Sequence, residues 1–246
     1  MFKLAQRVLD LIFVPRCAVC KSRLRYSTVG LCEECYERYE DAKTKYCDFC
    51  GMEARICTCV PYFMLINGCT DYRKLAFYTS SGDRNVVRRM VYSIKRWHNL
   101  PLTNYIACEL AEIDGRDTEE EIIVTYVPRS LENLRKYGYD HSKIVAKYYA
   151  EYRSLKMLPL LRRKVFHRSS EQKLLNYSQR AANTKGAFVV RPRIDICGKT
   201  VILIDDVVTS GATIGECAAM LYSAGAKNVI CRSFAHTYRK NKSKKD

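Results

Sequence analysis

The chain has 246 residues, 48% of them hydrophobic, and carries 42 Lys and Arg against 26 Asp and Glu, for a formal net charge of +16. That length allows one good core plus a small module, and no run approaches the ~18 apolar residues of a membrane-spanning helix. The basic balance points to a polyanionic partner, either nucleic acid or a multiply phosphorylated small molecule.

The start, "MFKLAQRVLDLIFVPRC", does not read as a secretion signal, because Asp10 interrupts the apolar run and no small-residue cleavage site follows. Leu4, Val8, Leu11 and Ile12 form the stripe of an amphipathic helix, expected to pack on the protein rather than on lipid. A reducing cytoplasm is the expected location, and there the eight cysteines between Cys17 and Cys59 mean metal rather than disulfides. They fall in pairs: Cys17/Cys20, Cys32/Cys35 and Cys47/Cys50 as C-x-x-C, and Cys57/Cys59 as C-x-C. One tight turn aims two thiolates at one metal and a second pair closes the tetrahedron, so four pairs predict two structural zinc sites. Sequential pairing is simplest, Cys17, Cys20, Cys32 and Cys35 on one Zn²⁺ and Cys47, Cys50, Cys57 and Cys59 on the other, with a crossed arrangement still open. Closed Cys₄ sites serve folding rather than catalysis. Two of them would lower the net charge to roughly +12. Cys69, Cys108, Cys197, Cys217 and Cys231 are scattered and read mostly as buried small hydrophobes.

Beyond Pro61 the pattern changes. Strands are predicted at 74–80, 121–128, 186–190, 200–204 and 228–235, and helices at 84–97, 100–113, 139–152 and 212–224, with Gly225 as a C-cap. The segment after Pro128 reads as a loop. Alternating strands and helices, with strands apolar on both faces, predict an α/β fold with a parallel sheet. The expected division is a zinc-binding module over residues 1–60, the α/β domain over 61–237, and a basic tail over 238–246 with too few apolar groups to fold. Basic residues cluster at 84–99, 161–168 and 238–246; one such cluster is an ordinary solvated face, but three in one chain favour a polyanion. Trp97, Tyr148 and Tyr149 could stack on bases or pack in the core.

The stretch "VILIDDVVTSGAT", Val201–Thr213, concentrates the chemistry. A buried strand delivers Asp205 and Asp206 to its C-terminal end, the edge where open α/β sheets bind ligands. Thr209, Ser210, Gly211, Ala212 and Thr213 then lead into a helix. Small residues let backbone N–H groups reach a phosphate, hydroxyls add donors, and the helix N-terminus favours negative charge. Carboxylates beside a phosphate loop fit a sugar phosphate, whose hydroxyls donate to the acids, and a nearby Mg²⁺ would relieve the repulsion.

These residues resemble the phosphoribosyl-diphosphate (PRPP) motif of type I phosphoribosyltransferases. With the cysteine module in front, the chain resembles more narrowly the ComF family of competence proteins. "VPRSLENLRKYGYDHS" is similar to a second family segment, and "RSSEQKLLNYSQRAANTKGAF" to a third at Ser169, Gln172, Leu175, Arg180, Asn183 and Gly186–Phe188. The resemblance implies a double zinc ribbon followed by a phosphoribosyltransferase-like domain. Asp205 and Asp206 would bind the ribose hydroxyls of PRPP, and Thr209, Ser210, Gly211, Ala212 and Thr213 its 5′-phosphate. Arg129, Arg135 and Lys136 would lie near pyrophosphate, and Lys95 and Arg96 would meet pyrophosphate or DNA. Tyr137 departs from the family pattern by standing where that pattern has Arg, with Lys136 just before it. His141 occupies a position held in the family by an amide or His. No residue is nominated as catalytic acid or base. The implied role is PRPP binding with Mg²⁺ in DNA uptake and natural transformation, either with pyrophosphate displacement by an acceptor or as a non-catalytic single-stranded DNA-binding factor or PRPP sensor. Other DNA-uptake proteins are the implied partners.

Overall fold

The computed structural model describes residues 14–24, 27, 29–78, 85–114, 121–164 and 184–237. The expected N-terminal helix and basic tail, and Ser169, Gln172, Leu175, Arg180 and Asn183, lie outside them. In chain order the elements are α1 (Glu33–Lys43), α2 (Tyr62–Leu65), β1 (Asp71–Tyr78), α3 (Val86–Arg96), α4 (Leu100–Ile113), β2 (Ile122–Tyr126), α5 (Leu131–Tyr137), α6 (His141–Tyr152), β3 (Lys156–Met157), β4 (Leu161–Arg163), β5 (Phe188–Val190), β6 (Thr200–Val208), α7 (Ala212–Ser223) and β7 (Asn228–Thr237).

Five parallel strands form one sheet in the order β1-β7-β6-β2-β3. β4 and β5 form a separate antiparallel pair. The apolar run of β6 is buried on both faces: Ile202 and Ile204 join the cluster with α3, α4 and α6, whereas Val201 and Leu203 join the one with α7 and the β4–β5 pair. This is why the strand reads as a continuous apolar run rather than an alternating one. Side-chain caps start the helices where the sequence supplies them. Asn85, Asn99, Ser130 and Asp140 accept from the N–H groups of Arg88, Leu102, Asn133 and Lys143.

Several boundaries differ from expectation, and three of these differences have a physical cause in the contacts. β1 begins three residues before the predicted start, at Asp71, whose carboxylate receives the buried Arg232 of β7 at 2.8 Å. The segment after Pro128 contains helix α5, opened by the Ser130 cap and closed by Gly138 at φ 75°. β6 continues through Asp205 and Asp206 to Val208, because β7 goes on pairing with it, Asp205 opposite Ser233 and Val208 opposite His236.

The cysteine-rich segment packs against this sheet. Cys17, Leu31, Cys35 and Tyr39 share one apolar cluster with Leu75, Met90, Leu102 and Phe234. From α1, Tyr39 donates to Glu109 Oε2 at 2.7 Å and Lys43 to Glu109 Oε1 at 2.6 Å, all three side chains being buried. α2 lies on the first turns of α7 at Gly211 and Gly215, where a Cβ on Gly215 would stand 2.4 Å from the Phe63 carbonyl oxygen.

Candidate functional site

β2 leads through α6 to β3 on one side of the sheet, and β6 leads through α7 to β7 on the other. The two connections cover opposite faces, so a crevice opens between the C-terminal ends of β2 and β6. The last β2–β6 pair is Tyr126 with Ile204, followed only by the Val127 N–H to the Ile204 carbonyl at 2.9 Å. Asp205–Val208 therefore project past β2 with one side turned to a cleft of about 970 Å³.

This cleft brings together Asp205, Asp206, Thr209, Ser210, Ala212, Thr213, Lys95, Arg96 and Arg129. Gly211 is the N-cap of α7 at φ 80°, and a Cβ there would stand 2.7 Å from Met64 Cγ; it shapes the loop rather than lining the cleft. Arg135 and Lys136 do not line the cleft. α5 turns Ser130, Asn133 and Tyr137 toward the cleft at helical spacing and leaves Arg135 and Lys136 on its exposed face.

Asp206 is buried. Its Oδ1 accepts from the Val207 N–H at 2.8 Å, while Lys95 Nζ stands 2.6 Å and His141 Nε2 2.9 Å from its Oδ2. Asp205 Oδ1 accepts from the Asp206 N–H at 2.9 Å. Burial pushes the Asp205 carboxyl up to about 7 against the pull of the Lys95 ammonium. Burial pushes Lys95 down to about 8, with Asp205 opposing the fall and Arg129 adding to it. Burial, then Lys95 and Arg129, hold the His141 imidazole down to about 2, so the ring is neutral.

Arg129 is an internal tie as well as a cleft cation. Its Nη1 donates to the Tyr139 carbonyl at 3.1 Å and its Nη2 to the Lys95 carbonyl at 3.2 Å, while Asp140 Oδ2 accepts from its backbone N–H at 2.9 Å. Its guanidinium lies 4.4 Å from the Tyr137 ring centroid, and Arg96 lies 4.3 Å from that of Tyr92. On the far side, the Gly186 N–H donates to Glu216 Oε1 at 2.6 Å, fastening the segment before β5 to α7.

The eight paired cysteines gather in sequential order. The Sγ atoms of Cys17, Cys20, Cys32 and Cys35 lie within 4.8 Å of one another, as do those of Cys47, Cys50, Cys57 and Cys59. Zinc with Zn–S bonds of about 2.3 Å spaces its sulfurs by about 3.8 Å, so both sets fit tetrahedral zinc. Lys74, buried in β1, donates to both the carbonyl and the Sγ of Cys57 at 2.9 Å. A lysine directly before the apolar run Leu75–Phe77 was the sequence signal for that contact.

Residues 155–246 match the phosphoribosyl transferase domain, and residues 8–62 match the double zinc ribbon domain. Competence protein F of Haemophilus influenzae is 22% identical over 224 residues, covering 87% of this chain and 93% of that protein. Together these matches support a ComF-type protein. Among solved structures, glutamine PRPP amidotransferase from B. subtilis aligns with a TM-score of 0.37 at 17% identity, over 63% of this chain and 29% of that one. A hypoxanthine-guanine phosphoribosyltransferase from Bacillus anthracis aligns with a TM-score of 0.36 at 17% identity, over 56% of this chain and 68% of that one. The fold assignment rests on the strand order and the domain match.

The ribbon match spans both Cys₄ sets, and the transferase match spans β6, the acid pair and the loop into α7. Among the described residues no helix is long and apolar enough to cross a membrane. Sequence reasoning did not single out Arg88, Tyr92, Ser142, Arg163 and Thr184, which also line the cleft. For Arg88 and Tyr92 the signal was available: with Lys95 and Arg96 they recur at helical spacing along α3. Of the aromatics considered for base stacking, Tyr149 is buried with its hydroxyl on the Asp114 carboxylate, Tyr148 is partly buried, and Trp97 is 65% exposed. Cys69, Cys217 and Cys231 are buried, whereas Cys197 is exposed.

Proposed function

We propose that this chain is a PRPP-binding phosphoribosyltransferase-like protein acting in cytoplasmic DNA uptake during natural transformation. The observation that carries the reading is one cleft holding both an acid pair and a hydroxyl-rich, glycine-containing loop at a helix N-terminus, walled by Arg88, Lys95, Arg96, Arg129 and Arg163. In this reading Asp205 and Asp206 accept from the ribose hydroxyls, and the Thr209–Thr213 loop donates to the 5′-phosphate. The diphosphate lies toward Lys95, Arg96 and Arg129. Where Mg²⁺ accompanies the diphosphate, it is held by phosphate oxygens and water rather than by the acid pair. Residues 1–60 form the zinc-bearing module and 61–237 the ligand-binding domain. The DNA-uptake role is supported by the name of the Haemophilus influenzae relative.

The test is calorimetric titration of the zinc-loaded protein with PRPP. Asp205→Asn combined with Asp206→Asn is expected to abolish binding and leave zinc content unchanged; retained affinity in the double variant would refute the role of the pair.

A second reading, single-stranded DNA along the cleft mouth, is favoured by the guanidinium–tyrosine stacks of Arg96 on Tyr92 and Arg129 on Tyr137. It requires binding that weakens steeply with salt.

A further inference from the structure

A carboxylate pair in a phosphate cleft invites a divalent cation, yet the contacts around these carboxylates leave little room for one. Mg²⁺ demands near-octahedral oxygen ligands at about 2.0–2.1 Å. Asp206 Oδ1 accepts from the Val207 N–H; its Oδ2 makes no hydrogen bond but is ion-paired, with the Lys95 ammonium at 2.6 Å and the His141 ring at 2.9 Å, so a metal there would have to displace Lys95. Asp205 has one oxygen on the Asp206 N–H. Lys95 is also held in place. It sits in the last turn of α3, and the Arg129 guanidinium donates to its carbonyl at 3.2 Å. About a third of its side chain stays exposed, so the ammonium faces Asp206 on one side and the cleft on the other.

We infer that Lys95 is the built-in counter-cation of the acid pair, so that this site binds a ribosyl diphosphate ester without a divalent cation on its aspartates. The inference rests on the PRPP reading and adds to it. Lys95 positions Asp206 and relieves the repulsion between the carboxylates and the incoming phosphates, the task that sequence reasoning gave to Mg²⁺. Metal-free binding is the consequence that separates this role from a merely structural one.

The experiment is titration of the zinc-loaded full chain with PRPP, in Mg²⁺ and in buffer freed of Mg²⁺ by gel filtration, since a chelator would also strip zinc. Wild-type affinity is expected to agree within about threefold between the two buffers. Lys95→Met should lose roughly 30-fold in metal-free buffer and recover part of this when Mg²⁺ is added. Lys95→Arg should keep metal-free binding. Wild-type binding that needs Mg²⁺, or metal-free binding unchanged in Lys95→Met, overturns the inference and leaves the PRPP reading intact. No binding in either buffer overturns the PRPP reading and this inference with it. If Lys95→Met fails to fold, as judged by zinc content and circular dichroism, the wild-type comparison still decides.

Discussion

His141 Nε2 stands 2.9 Å from the Asp206 carboxylate, yet burial first, and then the cations Lys95 and Arg129, make the site hostile to its protonation. The unfolded chain takes up this proton near pH 6.5 and the folded chain only near pH 2. Below pH 6.5 the unfolded state therefore binds more protons, and this residue erodes stability as pH falls toward the folded value. Asp205 works in the opposite sense, since burial lets the folded state accept its proton first, near pH 7. Comparing variant with wild type isolates the histidine. His141→Gln should flatten the fall in stability between about pH 6 and pH 4 by about 1.4 kcal/mol per pH unit. Urea midpoints across that range provide the check, and parallel profiles for the two proteins would contradict it. Among individual residues, the acid pair and the loop after it were legible because their chemistry is packed into one stretch of sequence. Arg163 and Thr184 were not, because only the tertiary fold brings them to the cleft.

Between elements, the contact of α2 with α7 decides whether the phosphate loop keeps its shape. Gly211 needs its positive φ, and Gly215 needs the absence of a Cβ, since a methyl group there would run into the backbone of Phe63. Gly215→Ala must lift α2 or shift the first turn of α7. A loss of about 1–3 kcal/mol in stability is expected, together with weaker PRPP binding, because the loop hangs from that turn. An unchanged denaturation midpoint would mean that α2 yields without cost. Helix α4 was readable to the residue, from its apolar period and its Asn99 cap. Helix α5 was not, because it is seven residues long with none of them buried, too short for an apolar period to stand out; its Ser130 and Gly138 boundaries were the signals to use. β3 and β4, two and three residues long, are too short to carry a period.

For the molecule as a whole, the zinc ribbons and the sheet share one interior. Residues of the first Cys₄ set pack among side chains of α3, α4 and β7, and Lys43 buries its charge on Glu109 of α4. Lys74 of β1 reaches the second set. Stripping zinc should therefore unfold the chain in one step rather than release a separate module. The sole tryptophan, Trp97, lies 6.0 Å from Lys21 of the first ribbon and serves as a local probe. Its fluorescence and the far-ultraviolet circular dichroism should change together during chelator titration; two separated transitions would show that the ribbons and the sheet fold independently. Parallel α/β architecture was legible from the alternation of patterns. This shared interior was not, because it joins residues of the cysteine segment to helices more than forty positions later.

The strand order also constrains how the chain is made. Among the described residues β1 is an edge strand whose sole neighbour in the sheet is β7, with Asp71 opposite Ile230. On the ribosome, β1 emerges long before the strand that will complete it. Until then the first ribbon, α3 and α4 are the cover available on one face of Leu75 and Ala76. Closure of so long a loop is slow, and an unpaired edge is prone to join another chain in the meantime. Metal captured early by the first ribbon would thus act as a guard during synthesis, shielding a strand that is still waiting for its partner.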